Sequence, residues 1–332
     1  MRSQNEESGV LVPSSGRQIT RPISLEERIR AKDAFLAEEL EDSTKRAYLD
    51  DLAAWRRYCD EHAATTYLVD DVTIVNYVEH LLNIGKALKT IQRRINGLRA
   101  AMDALGYPFT PETAKEARRA LVVARKRIMK EPGTRGHGKA AAFTVPELRA
   151  MSSACPETLR GIRDRALVLL GFAIGARRSE LANLYVSDVT EVAAGLEVHV
   201  RWSKVHEERW PKVPYGQHLE TCPVRAWKAW LDAASLTEGP AFRSIDRHGN
   251  LGPSITPEGI GDAVTALAAQ AGLGKRTAHG LRSGMATEGR RAKHDAVAIA
   301  RQGGWSKHSR EMLGYMQVID EWEDNPLYGI GL

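Results

Sequence analysis

The sequence predicts a mainly α protein: a helical N-terminal domain, then a mixed, mostly α domain with a small antiparallel sheet. Three observations carry this. Apolar residues recur at spacings of three and four through most of the first 130 residues, the period of one buried helix face. Only two short segments, 196–202 and 209–215, alternate like paired strands. Between the halves, 131–142 holds three glycines, a proline and charges but no large apolar residue, which is linker composition. At 332 residues the chain has room for two medium cores.

In chain order, 1–23 is polar, lacks the apolar run of a secretory signal, and reads as a disordered tail. Segment 24–40 is a candidate helix with a weak apolar stripe. In 44–62 the stripe is Tyr48, Leu52, Trp55 and Tyr58–Cys59; in 71–84 it is Val72, Val75, Val78 and Leu82. In 89–105 it is Ile91, Ile95, Leu98, Met102 and Leu105, and Gly106 ends the helix. Thr110-Pro111 opens the next as N-cap and first-turn proline, running to about Met129. After the linker, Thr144-Val-Pro-Glu147 is a capping box that starts a new helix. The domains are therefore placed at 24–130 and 143–332. In the second, Ala166–Ile174 is helical and stops at Gly175. The two alternating segments form a hairpin around His206–Glu208, and helices resume at 223–235 and 257–271 and continue toward the C-terminus.

Composition narrows the function. No apolar run approaches the roughly 20 residues that span a bilayer. Cys59, Cys155 and Cys222 lie far apart, without the spacing of a zinc site or a disulfide framework; no metal is expected, and a reducing cytoplasm fits. The net charge is only +5, but Lys86–Lys130 holds twelve Lys/Arg against three acids. That segment alone is +9, so the remainder of the chain is net −4. So concentrated a basic zone predicts a polyanion partner, because neutralising phosphates releases condensed counterions; a solvated helix face is the plain alternative. The candidate contacts are Lys89, Arg93, Arg94, Arg99, Lys115, Arg118, Arg119, Arg125 and Lys126.

Three motifs in the second domain can carry phosphate chemistry. In Gly175-Ala-Arg-Arg-Ser-Glu-Leu181, Glu180 stands three residues after Arg177 and can hold its guanidinium. In His279-Gly-Leu-Arg282 the i, i+3 spacing brings imidazole and guanidinium to one helix face. There the arginine can bind two phosphate oxygens while the histidine exchanges a proton. In Gly303-Gly-Trp305 a tryptophan precedes Tyr315 by ten residues. Taken singly, these read as a surface ion pair, a chance pair and a packing tyrosine. Their order is more specific than any one of them.

G-x-R-x-S-E-L, a strand-borne lysine, H-x-x-R, then G-G-W and a tyrosine resembles the tyrosine recombinases, the phage integrase family. Trp305 stands where most relatives carry histidine, which is similar to the Cre-like subset. The resemblance covers about 143–320 and extends in kind to the basic helical domain, read as a core-binding, SAM-like DNA-binding domain. It implies that Arg177 and Arg282 hold the scissile phosphate and that Tyr315 attacks it. His279 would transfer a proton, Trp305 would support the phosphate through its indole N–H, and Glu180 would hold Arg177. Lys204 would protonate the leaving 5′ oxygen, with Lys212 on the return strand as competitor. It further implies no cofactor, a specific double-stranded DNA site, and a homo-tetramer on DNA, in which the apolar end of 318–332 either docks on a neighbouring protomer or covers its own core.

The chemistry suits these residue types. Arginines stay charged at any working pH and offset the charge added in a pentavalent transition state. The phosphotyrosyl link conserves the energy of the broken bond, so religation needs no ATP. Two departures stand out. Trp305 lies one residue farther from the tyrosine than is usual, which suggests an insertion around Ser306–His308, and Gly280 and Gly284 should loosen the helix around Arg282. The alternatives are a type IB topoisomerase-like relaxing enzyme and a catalytically silent DNA-binding regulator. A basic RNA-binding module lacks the stacking aromatic strand such proteins use.

Overall fold

A computed structural model describes residues 42–66, 68–131, 140–201, 208–306, 309–323 and a few positions beyond. The expected tail 1–23, the candidate helix 24–40 and most of the linker lie outside the described residues. The chain divides into two compact units, 1–138 and 139–332.

The first unit is built from α1 (Asp42–Glu61), α2 (Asp71–Asn83), α3 (Leu88–Ala104) and α4 (Pro111–Lys130). Asp70 caps α2 by accepting from Thr73 N, and Thr110 caps α4 by accepting from Thr113 N, with Pro111 in the first turn. The stripes meet in one core around Trp55, Tyr77, Ile91, Leu98 and Met102, all essentially inaccessible. In α2 the buried face is Ile74, Tyr77, Val78, Leu81 and Leu82. Val72, counted into the stripe from the sequence, is exposed, because the helix turns Ile74 and Tyr77 inward instead.

The second unit runs α5 (Val145–Ala154), α6 (Leu159–Ala173), α7 (Arg178–Ala182), β1 (Val189–Val192), β2 (Gly195–Val198), β3 (Lys212–Pro214) and α8 (Pro223–Ala234). A second hairpin, β4 (Arg243–Ile245) with β5 (Leu251–Ser254), leads to α9 (Pro257–Gln270), α10 (His279–Arg291), α11 (Ala296–Gly303) and α12 (Arg310–Glu323). The expected Thr144–Glu147 capping box is present in both directions. The main core lies around α6 and α8, with Leu170, Trp227, Trp230 and Phe242 among its members.

Helix α6 begins seven residues before the apolar run that announced it. Thr158 caps it through Gly161 N, and the arginines of its first turns bond outward: Arg160 to the carbonyls of Ile245 and Asp246, Arg163 to that of Arg243. Charged residues there anchor the helix to β4 rather than marking a loop. The expected hairpin pairs as Leu196↔Val213 and Glu197↔Lys212, extended by a bridge at Val200↔Arg209. Its strands are shorter than the alternation suggested, and β1 adds an antiparallel edge, Val189↔Val198 through Val192↔Gly195. β1, β4 and β5 escaped sequence reading because each is three or four residues long and largely half-exposed, too short for a period-2 signal.

Gly280 and Gly284 do not loosen α10. A Cβ on Gly280 would strike the Ala141 carbonyl oxygen and the Phe143 ring, and one on Gly284 would strike the Phe143 backbone. The two glycines let the entering chain lie directly on α10, where Phe143 N donates to Gly280 O over 3.0 Å.

Candidate active site

The site begins where α6 ends. Gly175 adopts φ +56, and the turn delivers Arg177 as the residue before α7. Glu180, with its side chain at zero exposure, reaches back to Arg177: Oε2 accepts from its backbone N over 3.0 Å and Oε1 from Nη1 over 2.7 Å. The same carboxylate accepts from Arg209 Nη2 over 2.6 Å. Burial alone would raise the Glu180 carboxyl, but Arg209 and Arg177 together hold it below the usual carboxylate range. Arg209 is itself buried and donates through Nη1 to the carbonyls of Ile174 and Gln302, each over 2.8 Å.

Arg282 is fully buried on α10. Its Nη1 donates to the carbonyls of Gly175 and Gly303, tying together the end of α6 and the end of α11. Its Cζ lies 3.8 Å from the centre of the Trp305 ring, a cation–π stack. Arg282 Nε, Arg282 Nη2 and Trp305 Nε1 are buried donors with no hydrogen-bond partner among the described residues. Burial first, and Arg177 second, push the Arg282 guanidinium down to about 9. An arriving anion would relieve both effects.

His279 opens α10 one turn before Arg282. Its Nε2 lies 2.6 Å from Tyr315 Oη, and Tyr315 donates to Glu311 Oε1 over 2.8 Å. Burial, with Arg282, Arg177 and Arg178 adding to it, holds the imidazole below its ordinary value, against the pull of Glu311. Tyr315 is pushed well above the usual phenol range by burial and then by Glu311. Helix α12 is seated by Met312 and Met316, packed with Met285, Ile299 and Trp305, and by Thr287 Oγ1 donating to Tyr315 O over 3.2 Å. The Trp305 and Tyr315 rings are 6.3 Å apart.

The structure thus brings Arg177, Glu180, His279, Arg282, Trp305 and Tyr315 into one cluster of contacts. Lys204, like His308, lies outside the described residues. Its competitor Lys212 pairs with Glu197 on the sheet, its side chain 61% exposed. Tyr328 is exposed near the C-terminus and joins none of these contacts among those described. Sequence reading missed two members, Arg209 and Glu311. In the sequence Arg209 stands only as the first residue of the return strand 209–215. Glu311 carried a signal that went unread, its i, i+4 spacing from Tyr315 on a helix.

In the first unit, Lys89, Arg99, Arg118, Arg125 and Lys126 are exposed on α3 and α4. Lys115 and Arg119 pair with Glu112 and Glu116 at 3.4 and 2.7 Å. Arg94 is half-buried. Arg93 is held at 2.7 Å by Asp51, a carboxylate only 1% exposed.

The phage integrase family profile matches residues 142–320. The chain belongs to the phage integrase family. An integrase/recombinase XerD homologue from Selenomonas ruminantium is 32% identical over 295 residues, covering 86% of this chain and 84% of that protein. The Cre recombinase of Escherichia phage P1 is 22% identical over 318 residues, covering 90% and 89%. The substitution at Trp305 pointed to the Cre-like subset, yet overall identity is higher to the XerD homologue. The fold matches that of lambda integrase in a tetramer bound to a Holliday junction, with a TM-score of 0.58 at 16% identity, over 88% of this chain and 76% of that one. This member of the phage integrase family is a tyrosine-type site-specific DNA recombinase. No helix among the described residues is long and apolar enough to cross a membrane.

Proposed function

We propose that this recombinase cuts duplex DNA by attack of Tyr315 Oη on a scissile phosphodiester, leaving a 3′-phosphotyrosyl link, and rejoins it without metal or ATP. The observation that carries this is the convergence of Tyr315 and His279 at 2.6 Å beside the unpartnered donors of Arg282 and Trp305. Arg177 and Arg282 hold the nonbridging oxygens, and Trp305 Nε1 adds a third donor. Because Glu180 and the Gly175 and Gly303 carbonyls fix both guanidiniums in advance, little reorganisation is needed as charge builds on phosphorus. His279 sits 2.6 Å from Oη, within reach of the proton that leaves the nucleophile, and Lys204 gives its proton to the departing 5′ oxygen. The exposed lysines and arginines of α3 and α4 hold the duplex, phosphate contacts setting register and base contacts selecting the site. Strand exchange uses four protomers on two sites, as in the lambda integrase tetramer on a Holliday junction; exposed Leu327, Tyr328 and Ile330 suit a contact between them. The buried free thiols Cys59, Cys155 and Cys222 suit a reducing cytoplasm.

The test is a nicked suicide duplex drawn from the DNA flanking the coding sequence. The native protein should form a covalent adduct that maps to Tyr315, and Tyr315→Phe should bind with unchanged affinity yet form none. An adduct formed by Tyr315→Phe would overturn the assignment.

A further inference from the structure

Glu311 stands one helical turn before Tyr315 on α12, so the two side chains share a face. Tyr315 Oη donates to Glu311 Oε1 over 2.8 Å, His279 Nε2 lies 2.6 Å from the same Oη, and His279 Nε2 and Glu311 Oε1 are 3.5 Å apart. A phenol carries one proton, and a carboxylate only accepts. With Glu311 as a carboxylate, Oη–H donates to Glu311 and Oη is left to accept from His279 in its Nε2–H tautomer. In this arrangement the ring nitrogen nearest the nucleophile already bears a proton and has no lone pair to take the phenolic one.

We propose that Glu311 is a catalytic residue, the group that accepts the phenolic proton as Tyr315 attacks phosphorus. This rests on Tyr315 being the nucleophile. As the Oη–P bond forms, the proton passes from Oη to Glu311 Oε1. The P–O5′ bond breaks, and the 5′ oxygen leaves as an alcohol with the proton from Lys204. On religation the 5′ hydroxyl attacks phosphorus and gives its proton back to Lys204, the P–Oη bond breaks, and Glu311 returns its proton to Oη.

The charges support this direction. Tyr315 faces Glu311 on its own helix, His279 and Arg282 from α10, and Arg177 from the turn before α7, with Arg178 near His279. Burial and Glu311 hold the phenol protonated well above its usual range, so attack has to be concerted with proton removal. Taking up that proton also neutralises Glu311 at the moment the phosphorane gains negative charge. An imidazolium formed on His279 would instead add a cation beside Arg177, Arg178 and Arg282.

Single-turnover adduct formation on the suicide duplex, from about pH 6 to about pH 10, tests this with the full-length native protein, Glu311→Gln, Glu311→Asp and Tyr315→Phe. Glu311→Gln should bind like the native protein and still react at Tyr315, but about 10²-fold more slowly near neutral pH. Its rate should rise with pH across this range, because each step in pH enlarges the small ionised fraction of the phenol, and Glu311→Asp should recover part of the loss. A Glu311→Gln rate at or above the native one would overturn the proposal and make Glu311 a latch on the resting tyrosine. A slow rate that stays flat with pH would overturn it too, leaving a packing role. An adduct on another residue, or one formed by Tyr315→Phe, would instead refute the choice of nucleophile.

Discussion

Replacing Glu180 by glutamine isolates the ion network beneath the site. The native carboxylate, wholly inaccessible, accepts from Arg177 N, Arg177 Nη1 and Arg209 Nη2. Glutamine keeps the volume but has one acceptor oxygen, so its amide N–H₂ must face one of these donors. Breaking a buried pair by removing one partner costs about 3–5 kcal/mol. Here the loss should sit near the lower end, about 3 kcal/mol, because Arg177 is 22% exposed and can hydrate, and Arg209 keeps the Ile174 and Gln302 carbonyls. For a unit spanning residues 139–332, that is a fall in Tm of roughly 6–12 °C. Urea unfolding across a pH series supplies the second readout. Glu180 is held below its ordinary value, so its contribution is full above the unfolded pKa of about 4.3 and disappears as pH falls through the lower folded value. The native and Glu180→Gln stability curves should therefore converge in acid and separate toward neutrality. A variant within about 1 kcal/mol of native at pH 7, or one whose difference from native does not shrink in acid, would refute the reasoning.

Two further predictions concern other parts of the molecule. Trp305→Phe keeps a ring over Arg282 but removes the indole N–H; single-turnover cleavage should fall about tenfold, one hydrogen bond's worth, and an unchanged rate would show that this N–H does not reach the phosphate. Arg93→Ala should weaken DNA binding and lower the slope of log affinity against log salt by about one unit; an unaltered slope would remove Arg93 from the interface.

Much of the fold was legible because helices announce themselves locally. The stripes through Trp55, Ile91, Leu98 and Met102, and the caps at Thr110 and Thr144, need only neighbours along the chain. The short strands did not, since β1, β4 and β5 have three or four residues each, too few for a period-2 signal, and pair only across a short turn. Gly280 and Gly284 misled for another reason: helix propensity counts against them, and only the chain at Phe143 crossing α10 shows what they admit. Family membership was legible in the order of the motifs, where each motif alone was ambiguous.

The sequence by itself determined which residue types were available for phosphate chemistry and in what order: Arg177 with Glu180, His279 with Arg282, then Trp305 and Tyr315. It could not show that Arg282 bridges two carbonyls contributed by Gly175 and Gly303. Nor could it show that Arg209 shares the Glu180 carboxylate, or that Tyr315 meets His279 on one side and Glu311 on the other. Those contacts join positions up to 107 residues apart. They are decided by how α6, α10, α11 and α12 pack, because a buried guanidinium takes whichever acceptors the packed core leaves facing it.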